Sequence, residues 1–360
     1  MTARPSVVID AATPAERGRA RGRALRTELS AAVDLYFELF RTVGIDDATV
    51  RSDADRTTDI VTAWDVRFTD EIAGVADGAG LEPWQLMAVN ARTEILSQAL
   101  GSRPGECSTI GRLPEAGSPF GIQTWDWHQE MNPFWHPQTV SGTAYSYVGL
   151  TEHGMLGKIG VNSAGLGLFF NILGHRDDAP AGIPVHVLAA AVLGTAGSVA
   201  EALDMLRSAP ISSSGAFTLL DTATAVCAEL SPSGVQVISH RDGYLPHTNH
   251  FLDTSNTPFE KPGLYDPDSQ DRLRLIESRL QRYPVPVRAD DLVPFLHSDP
   301  GEPQLCCVPA PGAVFGQRWA TLATVLLEPE HHRARILTGT PREARDGVWH
   351  VLHAAEVAAL

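Results

Sequence analysis

The sequence predicts an α+β protein in which helices cover a two-layer β-sheet. Three observations carry that expectation. Residues 13–100 show helix caps and apolar residues at helical spacing. Beyond residue 107 the pattern changes to short apolar runs bounded by Gly, Pro, Asp and Asn. Helical stretches at residues 185–207 and 268–282 divide those runs, and strands, then helices, then strands suit a layered sheet covered by helices.

The elements follow in order. Thr13 with Glu16 three residues on forms a capping box, and Pro14 takes the first helical position. Val33, Phe37 and Phe40 recur at helical spacing, a second helix is expected over residues 56–75, and a third after Pro83. Residues 101–105 read as a loop containing Pro104. Strands are expected over residues 143–148 and 156–161, then a helix over 185–207 interrupted near Gly194 and Gly197. Three short strands follow at 216–221, 225–230 and 235–240, separated by turn residues at Asp221-Thr222, Ser231-Pro232-Ser233-Gly234 and Arg241-Asp242-Gly243. After the helix at 268–282, a hairpin of residues 321–327 and 333–338 turns around Pro329-Glu330. No internal repeat is present.

The composition is that of a globular chain, with 43% hydrophobic and 20% charged residues among 360. A net charge of −15 argues against nucleic acid and anionic membrane surfaces, both of which need a basic footprint. Four cysteines in a chain this long do not form a disulfide framework, and Cys306 and Cys307 are adjacent, a poor arrangement for bonding to each other. The N-terminus lacks the apolar stretch of a signal peptide, and residues 185–193 are too short to span a bilayer. The expected setting is cytoplasmic and reducing.

The chemistry centres on Cys107. It lies in Gly105-Glu106-Cys107-Ser108-Thr109-Ile110-Gly111, ahead of Ile122-Gln123-Thr124-Trp125-Asp126-Trp127. Together these read as adjacent antiparallel strands with a thiol at the start of the first. Taken alone, a cysteine is most often a small core residue. A thiol nucleophile needs a base, and no histidine follows closely. The cysteine's own α-amino group would serve if the chain were cut between Glu106 and Cys107, since such amines titrate near pH 7.7–8.0.

The sequence resembles the cysteine N-terminal-nucleophile (Ntn) hydrolases of the penicillin acyltransferase type, the family of acyl-coenzyme A:isopenicillin N acyltransferase. Besides the two segments around Cys107 and Asp126, the resemblance rests on residues 13–22, on Gly74-Val75-Ala76-Asp77-Gly78-Ala79-Gly80-Leu81, and on Asn90-Ala91-Arg92-Thr93-Glu94. Gly160-Val161-Asn162-Ser163-Ala164-Gly165-Leu166 and His247-Thr248-Asn249-His250-Phe251 complete it, in the family's order. It implies an αββα sandwich with a helical segment, residues 1–106, that stays packed on a catalytic domain, residues 107–360, after self-cleavage. By the resemblance, Cys107 is the nucleophile, Asp126 orients the new amine, and Asn249 donates to the oxyanion. Trp125, Asn171 and His250 would support or line the site. Gln123 stands where the bile-salt hydrolase and penicillin V acylase branch has arginine, a departure from that branch. Glu106 precedes the nucleophile where the family more often has a small residue. Arg318 matches a superfamily arginine no better than it matches an ordinary exposed one.

The resemblance thus implies a self-processing amidohydrolase or acyltransferase acting on a small-molecule amide. It needs no metal or bound cofactor and leaves room for an acyl thioester such as acyl-coenzyme A as co-substrate. Its partners would be that substrate and its own cleaved N-terminal segment. Hydrolysis and acyl transfer both stay open, as does an unprocessed, non-enzymatic protein that binds a small molecule or partner in the same cleft. His128, Glu130 and His136 fit no zinc motif, and neither a Gly-x-Ser-x-Gly elbow nor a papain-type signature is present.

Overall fold

A computed structural model describes residues 4–99, 107–265 and 267–355. A strand, β1 (Val7–Asp10), leads into five helices: α1 (Pro14–Ala24), α2 (Arg26–Thr42), α3 (Asp47–Ala79), α4 (Pro83–Asn90) and α5 (Arg92–Leu96). Thr13 caps α1 as its spacing predicts, accepting from the Glu16 amide at 3.3 Å while its hydroxyl donates to the Glu16 carboxylate at 2.7 Å. The helix expected over 56–75 is longer. Asp46 caps it, accepting from the Thr49 amide at 2.8 Å, and Gly80 ends it at φ 77°. It bends at Asp65, where the backbone leaves the helical region.

Four glycines set the contact between α1 and α3. A Cβ on Gly18 would lie 2.0 Å from the Glu71 carbonyl oxygen, and one on Gly22 would lie 2.2 Å from that of Val75. Gly74 and Gly78 make the reciprocal contacts with Ala15 and Arg19. The two G-x-x-x-G runs therefore let the helices meet backbone to backbone, which no side chain would permit.

The strands that follow are β2 (Ser108–Arg112), β3 (Phe120–His128), β4 (Trp135–Ser141), β5 (Tyr147–Glu152), β6 (Ile159–Asn162) and β7 (Gly167–Ile172). Two helices intervene, α6 (Val185–Thr195) and α7 (Val199–Ser208), split between Gly194 and Ser198 as expected. Then come β8 (Gly215–Leu220), β9 (Ala225–Ser231), β10 (Gly234–Ser239), β11 (Tyr244–His247), α8 (Asp268–Arg282), β12 (Trp319–Glu328), β13 (Arg333–Thr338) and β14 (Trp349–His353). The strand expected over 143–148 begins only at Tyr147. Ahead of it the chain turns at Gly142, at φ 81°, where a Cβ would meet the Ala11 carbonyl oxygen at 1.9 Å.

One sheet has eight strands in the order β1-β4-β5-β6-β7-β8-β9-β10, and the other six, β11-β2-β3-β12-β13-β14. They pack face to face so closely at Gly121 that a Cβ would lie 2.6 Å from the Phe169 ring. Helices α6 and α7 cover the outer face of the larger sheet. The outer face of the smaller sheet buries Ile110, Phe120 and Ile122 against Ile276 of α8 and the 3-10 stretch Ala289–Leu296. The result is helix, sheet, sheet, helix, the αββα order. The helical N-terminal segment is also part of the larger sheet, because β1 pairs in parallel with β4. Among the described residues, no helix is long and apolar enough to cross a membrane.

Candidate active site

Cys107 immediately precedes β2, and the pairing of Ser108 with Thr124 places it beside Trp125 and Asp126 of β3. The buried sulfur accepts from the Asp126 amide at 3.5 Å and lies 3.9 Å from the Asp126 carbonyl oxygen. The carbonyl oxygen of Cys107 accepts from Asn171 Nδ2 at 3.0 Å and from Arg272 Nη1 at 3.1 Å. Asn171 Oδ1 in turn accepts from Thr109 Oγ1 at 2.6 Å and from Gln123 Nε2 at 3.2 Å. Gln123 also clasps the main chain of Phe170, donating to its carbonyl at 2.8 Å and accepting from its amide at 3.3 Å. Gln123 and Asn171 thus tie β3 to β7 across the two sheets directly behind the thiol.

Arg272, fully buried on α8, gathers the remaining groups. It donates to Ser108 Oγ at 3.0 Å, to Asn249 Oδ1 at 3.0 Å and to Asp268 Oδ2 at 2.7 Å, besides the Cys107 carbonyl. Its planar fork suits one cation to several fixed acceptors. Asn249 is held at three points: its oxygen by Arg272, its amide by Ser269 Oγ at 2.7 Å, and its Nδ2 by the Ile172 carbonyl at 2.9 Å. His250 Nδ1 lies 2.8 Å from the same Ser269 hydroxyl. Burial pushes the His250 imidazole down to about 4, so it is neutral at physiological pH and steadies the Asn249 turn.

Strand alternation places Gln123, Trp125 and Trp127 toward the larger sheet and Asp126 toward α8. The thiol therefore touches the main chain of Asp126 rather than its carboxylate. Both carboxylate oxygens are buried, with no hydrogen bond of ordinary geometry among the described residues. Burial pushes the Asp126 carboxyl up to about 7, partly offset by the Thr321 hydroxyl opposite and the Arg272 charge, and reinforced by Asp268. Strand β12 bulges between Thr321 and Ala323, against Asp126 and Trp125, a common way to re-aim side chains beside a site.

Residues 114–343 match the family described as acyl-coenzyme A:6-aminopenicillanic acid acyl-transferase. The chain belongs to that family. The matched span contains Asp126, Asn171, Asn249 and Arg272. A curated relative, the 40 kDa form of acyl-coenzyme A:6-aminopenicillanic-acid-acyltransferase from Emericella nidulans, is 28% identical over 249 residues, 67% of this chain and 68% of that protein. Among solved structures, a variant of conjugated bile acid hydrolase from Clostridium perfringens is 12% identical with a TM-score of 0.44, covering 71% of this chain and 99% of that one. Penicillin V acylase from Agrobacterium tumefaciens is 16% identical with a TM-score of 0.36, covering 70% and 90%.

In this member of the acyltransferase family, Cys107, Gln123, Asn171, Asn249 and His250 come together in one network through Arg272 and Ser269, and Trp125 lies beside Cys107 across the strand pair. Glu106 lies outside the described residues. Arg318 turns away, its Nε 3.3 Å from Glu130 Oε1 and donating to the Ala313 carbonyl at 3.0 Å. A cavity of about 1050 Å³ opens at this end of β3, lined by Leu39, Leu96, Ala99, His128, Phe315 and Trp319. No cluster of metal-binding side chains occurs among the described residues.

Sequence reasoning missed Arg272, Ser269, Thr321 and a buried ion cluster facing Trp125. In that cluster Glu152 accepts from Arg92 at 2.7 Å, from Lys158 at 2.5 Å and from the Tyr36 hydroxyl. One signal was available for Lys158. The chain has only two lysines, and this one interrupts the apolar run Met155-Leu156-Gly157-Lys158-Ile159. Arg272 gave no signal, since a helix rich in Arg, Asp and Glu reads as solvated.

Proposed function

We propose that this protein is a self-processing Ntn acyltransferase or amidohydrolase in which Cys107 is the nucleophile. The observation that best supports this is the setting of Cys107. Its thiol is lodged against the Asp126 peptide at the head of a strand, and its own carbonyl is held by Asn171 and Arg272. Such fixing holds a nucleophile near its attack geometry.

In the proposed maturation, the Cys107 sulfur attacks the carbonyl carbon of Glu106. The C–N bond breaks, the proton given up by the thiol ends on the Cys107 nitrogen, which leaves as a primary amine, and Glu106 is carried as a thioester. Water then releases the Glu106 carboxylate and restores the thiol. The new α-amine takes the thiol proton in each later cycle. The sulfur attacks the acyl carbonyl of the substrate, and the Asn249 side chain donates to the oxyanion. The leaving group departs with the proton held by the ammonium, and water or an amine accepts the acyl group from the thioester. Residues 1–106 remain packed on residues 107–360 through β1 and the helices.

Asp126 fits a role beside the new amine. A carboxylate held near 7 by burial falls once a cation forms next to it, and it then stabilises that cation. The name of the curated relative supports an acyl thioester as donor and a small amine as acceptor. The cavity at the end of β3 offers room for an acyl group. Neither a metal nor a bound cofactor enters this scheme.

The test is to incubate the protein with acyl-coenzyme A donors of different chain length, with and without 6-aminopenicillanic acid. A covalent acyl mass on the Cys107 peptide and a new amide product support transfer, and free acid alone supports hydrolysis. No acyl adduct and no turnover with any donor or simple amide would overturn the enzymatic reading.

A further inference from the structure

The ion cluster behind the thiol is buried and holds two cations. Lys158, 2% exposed, stands between the sheets just before β6, with Nζ 2.5 Å from Glu152 Oε1 and 4.6 Å above the Trp125 ring. Arg92 meets the same carboxylate oxygen at 2.7 Å and lies 3.7 Å above the Trp127 ring. Glu152 is therefore shared by two cations, and the buried Glu94 carboxyl also feels the Arg92 charge. Tyr36 is neutral, its hydroxyl pushed up by burial and by Glu152, and His186 is neutral, pushed down by burial. The Lys158 ammonium thus shares its counter-ion in a buried setting, where a charge is costly to hold.

Trp125 lies across from Cys107, since Ser108 pairs with Thr124, and period-two alternation sends both side chains to the same face of the sheet. The indole beneath the Lys158 ammonium thus stands next to the thiol. We propose that Lys158 is a positioning residue for the Cys107 chemistry, its ammonium supplying the buried positive charge that holds the sulfur as a thiolate. The two groups are close enough for the Cys107 charge to favour the charged lysine, against the burial that otherwise lowers the Lys158 ammonium. The attraction is mutual, so the same charge favours the thiolate.

Among the described residues, charged groups near the thiol also include Arg272 and Asp268 on α8, which pair with each other, and Asp126 on β3. Asp126 ionises near pH 7 and opposes the thiolate above that pH, so the Lys158 charge matters most in the neutral range. In the uncut chain no α-amine exists to take the thiol proton, and Lys158 makes the first attack on Glu106 accessible without one. This rests on Cys107 being the reacting thiol.

The test follows thiolate absorbance at 240 nm against pH, as the difference between the wild-type chain and Cys107→Ser. The wild-type midpoint is expected at least about one unit below the ordinary 8.5 of a cysteine. Lys158→Gln should raise it by about one unit or more, a tenfold drop in thiolate fraction near neutrality, while Lys158→Arg should stay within about half a unit of wild type. A wild-type midpoint at or above about 8.5 overturns the proposal even if Lys158→Gln fails to fold, as does a folded Lys158→Gln chain with the wild-type midpoint. Intact mass on each sample reports whether the bond before Cys107 is open. An uncut chain with a low midpoint refutes self-processing alone, and a cut chain with an ordinary midpoint refutes the Lys158 charge alone.

Discussion

Removing the Arg272 guanidinium tests the organisation of the site most severely, because one side chain holds four acceptors. Arg272→Met keeps much of the apolar stem and deletes the donors to the Cys107 carbonyl, Ser108, Asn249 and Asp268. Breaking a buried, hydrogen-bonded ion pair costs about 3–5 kcal/mol. Asp268 keeps a quarter of its side chain exposed, so water recovers part of that loss and we expect ~3 kcal/mol. The measurement belongs in a Cys107→Ala background, where self-cleavage is blocked and the main-chain carbonyl that Arg272 holds is unchanged. Urea unfolding should show a lower midpoint at an unchanged slope. With Cys107 restored, self-cleavage should slow by about 10²-fold, the effect of an ångström of misplacement. Arg272→Lys should rescue little, since a point charge cannot fork to several acceptors. A stability loss under about 1 kcal/mol with normal cleavage would refute the reasoning.

Three further outcomes follow from the same geometry. Asp126 keeps its proton in the folded chain up to about pH 7, against 3.8 for an ordinary aspartate, so stability should fall as pH rises through that window. Asp126→Asn in the Cys107→Ala chain should remove that slope and gain up to ~4 kcal/mol at pH 8, with little change at pH 3, and equal slopes in urea titrations would contradict the assignment. Gly18→Ala drives a methyl into the Glu71 carbonyl and should cost about 1–3 kcal/mol in the same assay, whereas a neutral result would deny the close helix contact. Arg318→Ala removes a half-exposed pair with Glu130, so it should cost less than about 1 kcal/mol and leave cleavage timing intact, and a large slowing would place Arg318 in the site after all.

Much of the layout was legible because it rests on local rules. Thr13, Pro14 and Glu16 announce α1, and the turn residues at 231–234 and 241–243 separate strands of the expected length. The motif blocks carried structural meaning as well. Asn90, Arg92 and Glu94 anchor α4 and α5 to Gly154, Glu152 and the first turn of α6. Asn162 ties the β6 turn to the carbonyls at the end of α6. What stayed hidden depends on contacts distant in sequence. Nothing near Arg272 signals a carbonyl 165 residues away, and nothing in a helical segment foretells that Val7–Asp10 pairs with β4. The face to which Asp126 points was legible from alternation, but its burial was not, because that follows from what α8 and the chain at Cys306 and Cys307 lay over it.

The central claim is that the chain opens itself at Cys107, and denaturing intact mass on freshly purified wild-type and Cys107→Ala protein tests it most directly. The account predicts two wild-type fragments, residues 1–106 and 107–360, and a single full-length mutant. A single 360-residue species in both samples would contradict it.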